Sequence, residues 1–327
     1  MRAVVLQEFG EPAVLRVHDG VPDPVVPDGW VLVRLHACAL NWHDVLLRQG
    51  VYDVPLPRVP GSDGAGVRAD TGEQVLVLPS LFWGGAERAP GPGFQILGDR
   101  TDGTHAELVA LPAENVRPLP AGWSFVEAAA LPLAGLTAYR ALFARAGLVA
   151  GETVLVLGAG GGVATMAIAL ARMAGARVLV TTSTEAKLER AIGLGADGGV
   201  LYTSAHWGAA VREMAGGVGV DVVVDSVGST WPEALTALAD GGRLVTFGAT
   251  GSADAHVDVR RLYFAQQTIL GTTMGSPRDA DGLLALVAQA PDWRPAIDAV
   301  APLDEIAAMH ERMARREHVG KLVLTVP

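Results

Sequence analysis

The chain has 327 residues, half of them hydrophobic, and a formal net charge of -10 at pH 7. That length exceeds what one hydrophobic core usually organises, so we expect two domains. The negative charge argues against nucleic acid as a partner, and the single cysteine, Cys38, excludes an internal disulfide and a cysteine-rich zinc site. No apolar run is long enough to span a membrane and no signal-peptide core is present, so we expect a soluble, cytoplasmic protein.

Short runs typical of β-strands dominate the first part of the chain. Two of them lie at residues 31–37 and 73–78, between turns rich in proline and glycine at 21–29 and 54–66. They predict a compact, mostly β domain. From residue 124 onward, apolar strands alternate with alanine-rich helices, which predicts a parallel sheet with helices on both faces. The strands predicted for that sheet are residues 154–157, 177–182, 220–225, 242–247 and 267–271.

The last part of the chain changes pattern again. A helix is predicted at residues 303–316 and a strand at 321–326. We expect this tail to rejoin the first domain. The predicted division is therefore a first domain at 1–123 completed by 276–327, and a second domain at 124–275.

A glycine-rich turn joins the predicted strand at 154–157 to a helical pattern at 164–174. Unpaired N–H groups at a helix start, together with the helix dipole, favour an anion, and glycines let phosphates approach the backbone closely. A second buried strand at 177–182 completes a βαβ unit, so we predict that a dinucleotide pyrophosphate binds at this turn. The residues assigned to the cofactor here are Gly158, Ala159, Gly160, Gly161, Gly162 and Val163.

Seven segments spread over the whole chain together resemble the medium-chain dehydrogenase/reductase family, and most closely its zinc-free, quinone-oxidoreductase-like branch. The resemblance implies an α/β protein with a Rossmann-type doubly wound parallel sheet plus a mostly β, GroES-like catalytic domain. It also implies a homodimer, because the sixth strand of the sheet often pairs across two subunits in this family. The segments are the glycine-rich turn and residues 41–44, 61–66, 131–139, 225–228, 241–245 and 320–324.

The zinc-containing branch of that family carries its metal ligands at positions that hold other residues here. Asn41 stands in place of a cysteine, Ser62 in place of a histidine, and Asp63 in place of a glutamate. Asn and Ser are poor zinc ligands, so the resemblance implies a site without metal. The alternative is an altered metal site built from His36, Cys38 or His43.

A site without metal favours conjugated acceptors over alcohols. Hydride arriving at the β-carbon of an enone, or at a quinone, moves the negative charge to a distant oxygen, which an ordinary hydrogen-bond donor can hold. The resemblance suggests three donors, each with a structural alternative. Asn41 donates through its amide or caps the following helix; Tyr52 donates a phenolic proton or covers the core; His43 relays protons or faces solvent at the helix start.

Cofactor choice depends on the end of the second predicted strand. An NAD-preferring site usually has an acid there, whereas this chain has Thr182 and Ser183, with Lys187 one turn into the next helix. Hydroxyl groups and a cation suit the 2′-phosphate of NADPH. Only Lys187 and Lys321 are lysines among 25 basic residues, and both stand at motif positions. Glu185 is the counterargument, since it would bind ribose if the strand ended later.

The resemblance also implies cofactor contacts outside the glycine-rich turn. They are assigned to Thr137, Tyr202, Gly248, Thr273, Met274 and Lys321.

The sequence therefore predicts an NADPH-dependent, metal-free reductase of quinones or α,β-unsaturated carbonyls, with a small apolar substrate. Two alternatives stay open: a zinc-type alcohol dehydrogenase with an altered metal site, and an NADPH-binding protein with little catalysis.

Overall fold

The computed structural model describes residues 1–327, which fold into two compact units. The first unit comprises Met1–Leu136 and Gly275–Pro327, and the second comprises Thr137–Met274. The first boundary lies further along the chain than the sequence places it, at residue 136 rather than 123. The reason is the helix Phe125–Ala129, which packs on the sheet of the first unit.

Strands make up most of the first unit. Its N-terminal segment contains β1 (Ala3–Val5), β2 (Arg16–His18), β3 (Trp30–Ala39), α1 (Trp42–Arg48), β4 (Asp63–Arg68), β5 (Gln74–Val77), β6 (Ser80–Leu81), β7 (Gln95–Ile96), β8 (Leu108–Pro112), β9 (Val116–Pro118), α2 (Phe125–Ala129) and the start of α3 (Pro132–Tyr139).

The second unit follows, and the chain then returns to the first. The second unit contains a π-helix (Arg140–Arg145), β10 (Thr153–Val156), α4 (Gly162–Met173), β11 (Arg177–Thr182), α5 (Glu185–Gly193), β12 (Gly198–Leu201), α6 (Trp207–Met214), β13 (Val220–Asp225), α7 (Trp231–Ala237), β14 (Leu238–Thr246), α8 (Val259–Phe264) and β15 (Thr268–Gly271). The returning segment contains α9 (Pro277–Ala288), β16 (Ile297–Pro302), α10 (Ile306–Ala314) and β17 (Lys321–Thr325).

A seven-stranded sheet organises the first unit. Its order is β16-β17-β3-β4-β5-β9 with β8 also paired to β3, and every pair is antiparallel except β16 with β17. Val31, Val33 and Leu35 of β3 are buried while Arg34 between them is exposed. This period of two is what a strand with one buried face requires. The C-terminal strand β17 lies directly beside β3, so the returning segment of the chain joins the sheet of the first unit.

A six-stranded parallel sheet organises the second unit, in the order β12-β11-β10-β13-β14-β15. The first strand, β10, lies near the centre and the chain proceeds outward in both directions, which is the doubly wound arrangement. β10, β11 and β13 are almost continuous runs of buried Val and Leu, as a parallel sheet covered on both faces requires. The predicted Rossmann-type α/β fold is confirmed.

Most predicted elements lie within a few residues of the observed ones. β11 and β13 have the predicted bounds, whereas β14 begins earlier than predicted, at Leu238. The helix predicted at 303–316 begins as a 3-10 turn, Leu303–Glu305, before α10. No helix combines the length and apolar character needed to cross a membrane.

Candidate active site

The glycine-rich turn leads from the carboxyl end of β10 into α4. Gly158 has a φ of 67°, in the left-handed region that favours glycine, and Gly161 is the N-cap of α4. The N–H groups of Gly158 and Ala159 donate to the side chain and the carbonyl of Thr181 on β11, at 3.2 and 3.0 Å. The N–H groups of Gly162 and Val163 lie in the first turn of α4, where no intrahelical acceptor exists and no acidic side chain is present. The turn therefore fits an anionic phosphate group.

The end of β11 carries the residues expected to choose the cofactor. β11 ends at Thr182, and the Thr182 hydroxyl donates to the carbonyl of Thr184. The Thr184 side chain caps α5, because its hydroxyl oxygen accepts from Lys187 N–H at 3.3 Å. Glu185 is an exposed residue of the first turn of α5, beyond the strand end. The strand therefore ends before the acid, which begins the next helix.

Several other predicted cofactor residues follow the carboxyl ends of neighbouring parallel strands. Tyr202 directly follows β12, and its N–H donates to the carbonyl of Thr182 at 2.9 Å. Gly248 follows β14, and Thr273 and Met274 follow β15. Because carboxyl ends of parallel strands meet at one edge of a sheet, these residues share an edge with the glycine-rich turn. Thr137 instead lies buried within α3.

A buried polar cluster occupies the first unit around Lys321, the first residue of β17. Its ammonium group donates to the Asn41 side-chain oxygen at 2.6 Å and to Asp63 Oδ2 at 2.8 Å. Asp63 Oδ2 also accepts from the Asn41 amide nitrogen at 2.9 Å, and its Oδ1 accepts from Leu133 N–H at 2.7 Å. The Lys321 side chain is 2% exposed and the Asp63 side chain is fully buried. The charges of the cluster are therefore paired within the protein.

This cluster changes the interpretation of two predicted site residues. Lys321 was expected to bind the cofactor, but its buried ammonium group is held by Asp63 and Asn41. Asn41 was expected to donate to a carbonyl oxygen or to cap α1. It does directly precede α1, and its backbone N–H donates to Asp44 Oδ2 at 2.7 Å, while its side chain is bound to the Lys–Asp pair. The signal for Lys321 was its rarity, which does not distinguish a ligand contact from a buried ion pair.

The other two predicted donors, His43 and Tyr52, come together. Their rings stack with centroids 4.7 Å apart and an interplanar angle of 29°. His43 Nε2 lies 2.7 Å from Asp99 Oδ1, in the segment after β7. Burial would lower the pKa of His43, but the hydrogen bond to Asp99 and the charges of Asp99 and Asp44 outweigh burial and raise it. The pKa of Tyr52 is raised by burial and by the charge of Asp99, so its phenol stays protonated at neutral pH.

Sequence reasoning did not single out Asp99 or His105, and it named Asp63 only as standing in place of a zinc ligand. Asp99 is separated from His43 by 56 residues, and Asp63 from Lys321 by 258. His105, whose two ring nitrogens have no hydrogen-bond partner, lies fully buried. Burial and the charge of Lys321 lower its pKa to about 3. No local pattern around these residues signals such pairings or such burial.

Comparison with known proteins decides the family. The model described as "Alcohol dehydrogenase GroES-like domain" matches residues 27–121, and the one described as "Zinc-binding dehydrogenase" matches residues 162–289. Human quinone oxidoreductase is 30% identical over 334 residues, covering 99% of this chain and 97% of that protein. The chain belongs to the medium-chain dehydrogenase/reductase family. It is an oxidoreductase with the fold that the sequence motifs predicted.

Other members of the medium-chain dehydrogenase/reductase family differ in the activity their names give. A zinc-type alcohol dehydrogenase-like protein of Schizosaccharomyces pombe is 34% identical, over 94% of this chain and 93% of that protein. The crystal structure of an NAD-dependent alcohol dehydrogenase superposes with a TM-score of 0.94 at 39% identity, covering 100% of both chains. A mycobacterial protein solved with NADPH has a TM-score of 0.84 at 29% identity, again over 100% of both chains.

The side chains at the family's zinc-ligand positions do not fit a zinc ion here. Asn41 and Asp63 hold the ammonium group of Lys321, and Ser62 Oγ donates to the Leu97 carbonyl at 2.8 Å. Burial raises the pKa of the Cys38 thiol, which disfavours the thiolate that binds metal. No three His, Cys, Asp or Glu side chains are grouped to hold a metal ion. His36, the remaining residue of the alternative metal site, stacks on Phe125 at 4.6 Å.

Proposed function

We propose that this oxidoreductase is a metal-free, NADPH-dependent reductase of quinones or α,β-unsaturated carbonyls, acting in the cytoplasm as a homodimer. The observation that carries the proposal is the Lys321 ammonium group, which is bound to Asn41 and Asp63. Both residues stand at positions where zinc-containing relatives keep metal ligands. The names of the quinone oxidoreductase relatives support the same substrate class.

The proposed chemistry needs a hydride donor and a source of one proton. The nicotinamide of NADPH, when bound, would supply the hydride for the electron-poor carbon of the acceptor. The negative charge then reaches the carbonyl or quinone oxygen, where a hydrogen-bond donor stabilises it without a Lewis acid. Tyr52 and His43 supply such donors from one stacked pair, and Tyr52 is 37% exposed, so substrate can reach it. The buried Asn41 side chain is instead bound to Lys321 and Asp63.

Turnover and metal content test the substrate class together. We expect the purified protein, prepared without chelator, to oxidise NADPH in the presence of quinones or short enones. We expect no gain in activity on addition of zinc and no loss after treatment with a chelator. Oxidation of simple alcohols with about one tightly bound zinc per chain would instead favour the alcohol dehydrogenase that two relatives' names suggest. Cofactor binding without turnover of any acceptor would favour a non-catalytic binding protein.

The cofactor preference is tested at Lys187. Lys187→Ala removes the ammonium group, and the variant should bind NADPH at least about tenfold more weakly, because charged contacts with phosphate are strong. Binding of NADH, which has no 2′-phosphate, should change little. Arg177→Ala is the matched control, because Arg177 is an exposed cation at the opposite end of the same strand, β11. Equal losses for NADPH and NADH would argue against a phosphate contact.

The proposed homodimer is supported by the free edge of the six-stranded sheet. β15 is the last strand of that sheet and has only β14 as a neighbour. Val259, Tyr263 and Phe264 of the preceding helix α8 are exposed. An unpaired edge beside exposed apolar side chains is a suitable surface for a second copy. Light scattering should give the mass of two chains, and a monomer at micromolar concentration would refute the dimer.

A further inference from the structure

Asp99 shares a small, partly shielded site with the two proposed proton donors. Its Oδ1 lies 2.7 Å from His43 Nε2, and the two side chains are 18% and 12% exposed. The Tyr52 ring stacks on the ring of the same His43. Shielding from water strengthens the interaction of a carboxylate with an imidazole relative to a fully exposed pair.

The geometry fixes which nitrogen of His43 carries a proton. An ionised carboxylate accepts hydrogen bonds and cannot donate them, so Nε2–H must be the donor to Asp99. When the imidazole is neutral, its other nitrogen, Nδ1, is therefore the basic one. Proton uptake and release by His43 then occur at Nδ1, while Nε2–H stays bound to Asp99.

The charges around His43 all favour its protonated form. Asp99 acts from the segment after β7 and Asp44 from His43's own helix, α1, while the neutral phenol of Tyr52 covers the ring. Burial opposes these charges. Without Asp99, burial would be opposed by Asp44 alone, and Asp44 itself has a pKa raised to about 6 by burial.

We propose that Asp99 is a positioning residue that binds Nε2–H of His43 and favours the imidazolium form, whose Nδ1–H supplies the proton consumed in each reduction. This inference rests on the proposed function. The balance is one hydride from NADPH to carbon and one proton from His43 Nδ1, directly or through Tyr52, to the carbanion or oxyanion formed. The neutral imidazole then takes up one proton from the solvent at Nδ1, so that one hydride and one solvent proton are consumed in each reduction.

The test compares Asp99→Asn with Asp102→Asn. Asparagine keeps an oxygen that accepts from Nε2–H but removes the charge. Asp102 lies on the same segment, is 56% exposed and pairs with Arg58, so its variant controls for loss of a nearby carboxylate. Two quantities are measured: the pKa of His43 from its imidazole NMR signal, assigned by its absence in His43→Gln, and kcat/KM for an enone against pH.

We expect the pKa of His43 to lie above the ordinary imidazole value in the wild-type protein and below it in Asp99→Asn. The alkaline limb of the pH profile should move to lower pH by the same amount, and kcat near neutral pH should fall about tenfold with little change in KM. Asp99→Glu, which restores the carboxylate, should recover most of both. Asp102→Asn should change neither quantity.

Two results would overturn the inference. An unchanged pKa of His43 in Asp99→Asn would show that the carboxylate does not control the imidazole. A shifted pKa with an unshifted pH profile would show that His43 does not supply the proton. If the wild-type protein reduced no acceptor, the proposed function would fail, and the NMR titration, which needs no turnover, would still decide the pairing of Asp99 with His43.

Discussion

Replacement of His105 by Phe should make the first unit less sensitive to acid. The His105 ring is fully buried, both its nitrogens lack partners, and it lies so close to Gly61 that a Cβ atom added there would come within 2.4 Å of the ring. A proton on this imidazole would create a buried charge without a partner, close to the Lys321 ammonium group. Burial is the larger cause and the Lys321 charge the smaller one, and together they lower the pKa of His105 to about 3.

The pKa shift sets the size and the sign of the effect. In the unfolded chain the imidazole has its ordinary pKa of about 6.5. Below that pH the unfolded state binds a proton that the folded state does not bind. The contribution of His105 to stability is thus full above pH 6.5 and is lost as the pH falls towards 3. At pH 5, which is about 1.5 units below the imidazole pKa of the unfolded chain, protonation of His105 stabilises the unfolded state by about 2 kcal/mol relative to neutral pH, at 1.36 kcal/mol per unit.

Urea unfolding at pH 7.5 and pH 5.0 measures this quantity. We expect the free energy of unfolding of the wild-type protein to fall by about 2 kcal/mol more than that of His105→Phe between these two pH values. The absolute stability of the variant is not the readout, because the larger ring changes packing against Gly61. His256→Gln, at an exposed histidine, should leave the wild-type pH dependence unchanged. A wild-type protein and His105→Phe with the same pH dependence would refute the reasoning, as would an NMR titration of His105 near its ordinary value.

Two further outcomes follow from the cluster and the glycine-rich turn. Lys321→Met leaves the buried Asp63 carboxylate without its cation and should lower the free energy of unfolding in urea by about 3–5 kcal/mol. Adding Asp63→Asn removes the carboxylate charge and should restore part of that stability. A double variant less stable than Lys321→Met alone would contradict this. Gly158→Ala and Gly151→Ala both place alanine at positive φ in open space, so each should lower the free energy of unfolding by about 1–2 kcal/mol. Only Gly158→Ala should also weaken NADPH binding, measured by fluorescence titration.

Five of the six strands of the second unit could be predicted from sequence because their signals are local, whereas the short strand β12, with its two glycines, was not predicted. Continuous Val and Leu runs predict buried parallel strands, and a glycine turn between a strand and a helix marks the phosphate site. β11 and β13 consequently have the predicted bounds. The first boundary between units differs from the predicted one because the alanine-rich pattern begins with α2, although α2 packs on the sheet of the first unit.

The polar groups of the first unit could be only partly predicted. The motif positions identify Asn41 and Lys321 as unusual, but their roles depend on a hydrogen bond between residues 280 apart in the chain. A rare lysine beside a strand motif is compatible with a phosphate contact or with an internal ion pair, and only the fold, which places β17 beside β3, decides between them. The pairing of Asp99 with His43 has the same origin.

Two histidines in the first unit should set opposite limits on the pH range of activity. His105 costs stability as the pH falls from 6.5, because its neutral form is the buried one. His43 has a raised pKa, so its stabilising ion pair and its proton are both present at low pH and lost as the pH rises through that pKa. Activity should therefore be greatest between the two limits. Asp99→Asn should move only the alkaline limit, and His105→Phe should relieve part of the acid one, since burial also lowers the pKa of His310 in the same unit. An alkaline limit that moved in His105→Phe would mean that the two imidazoles are coupled, and the separate roles assigned to them would be wrong.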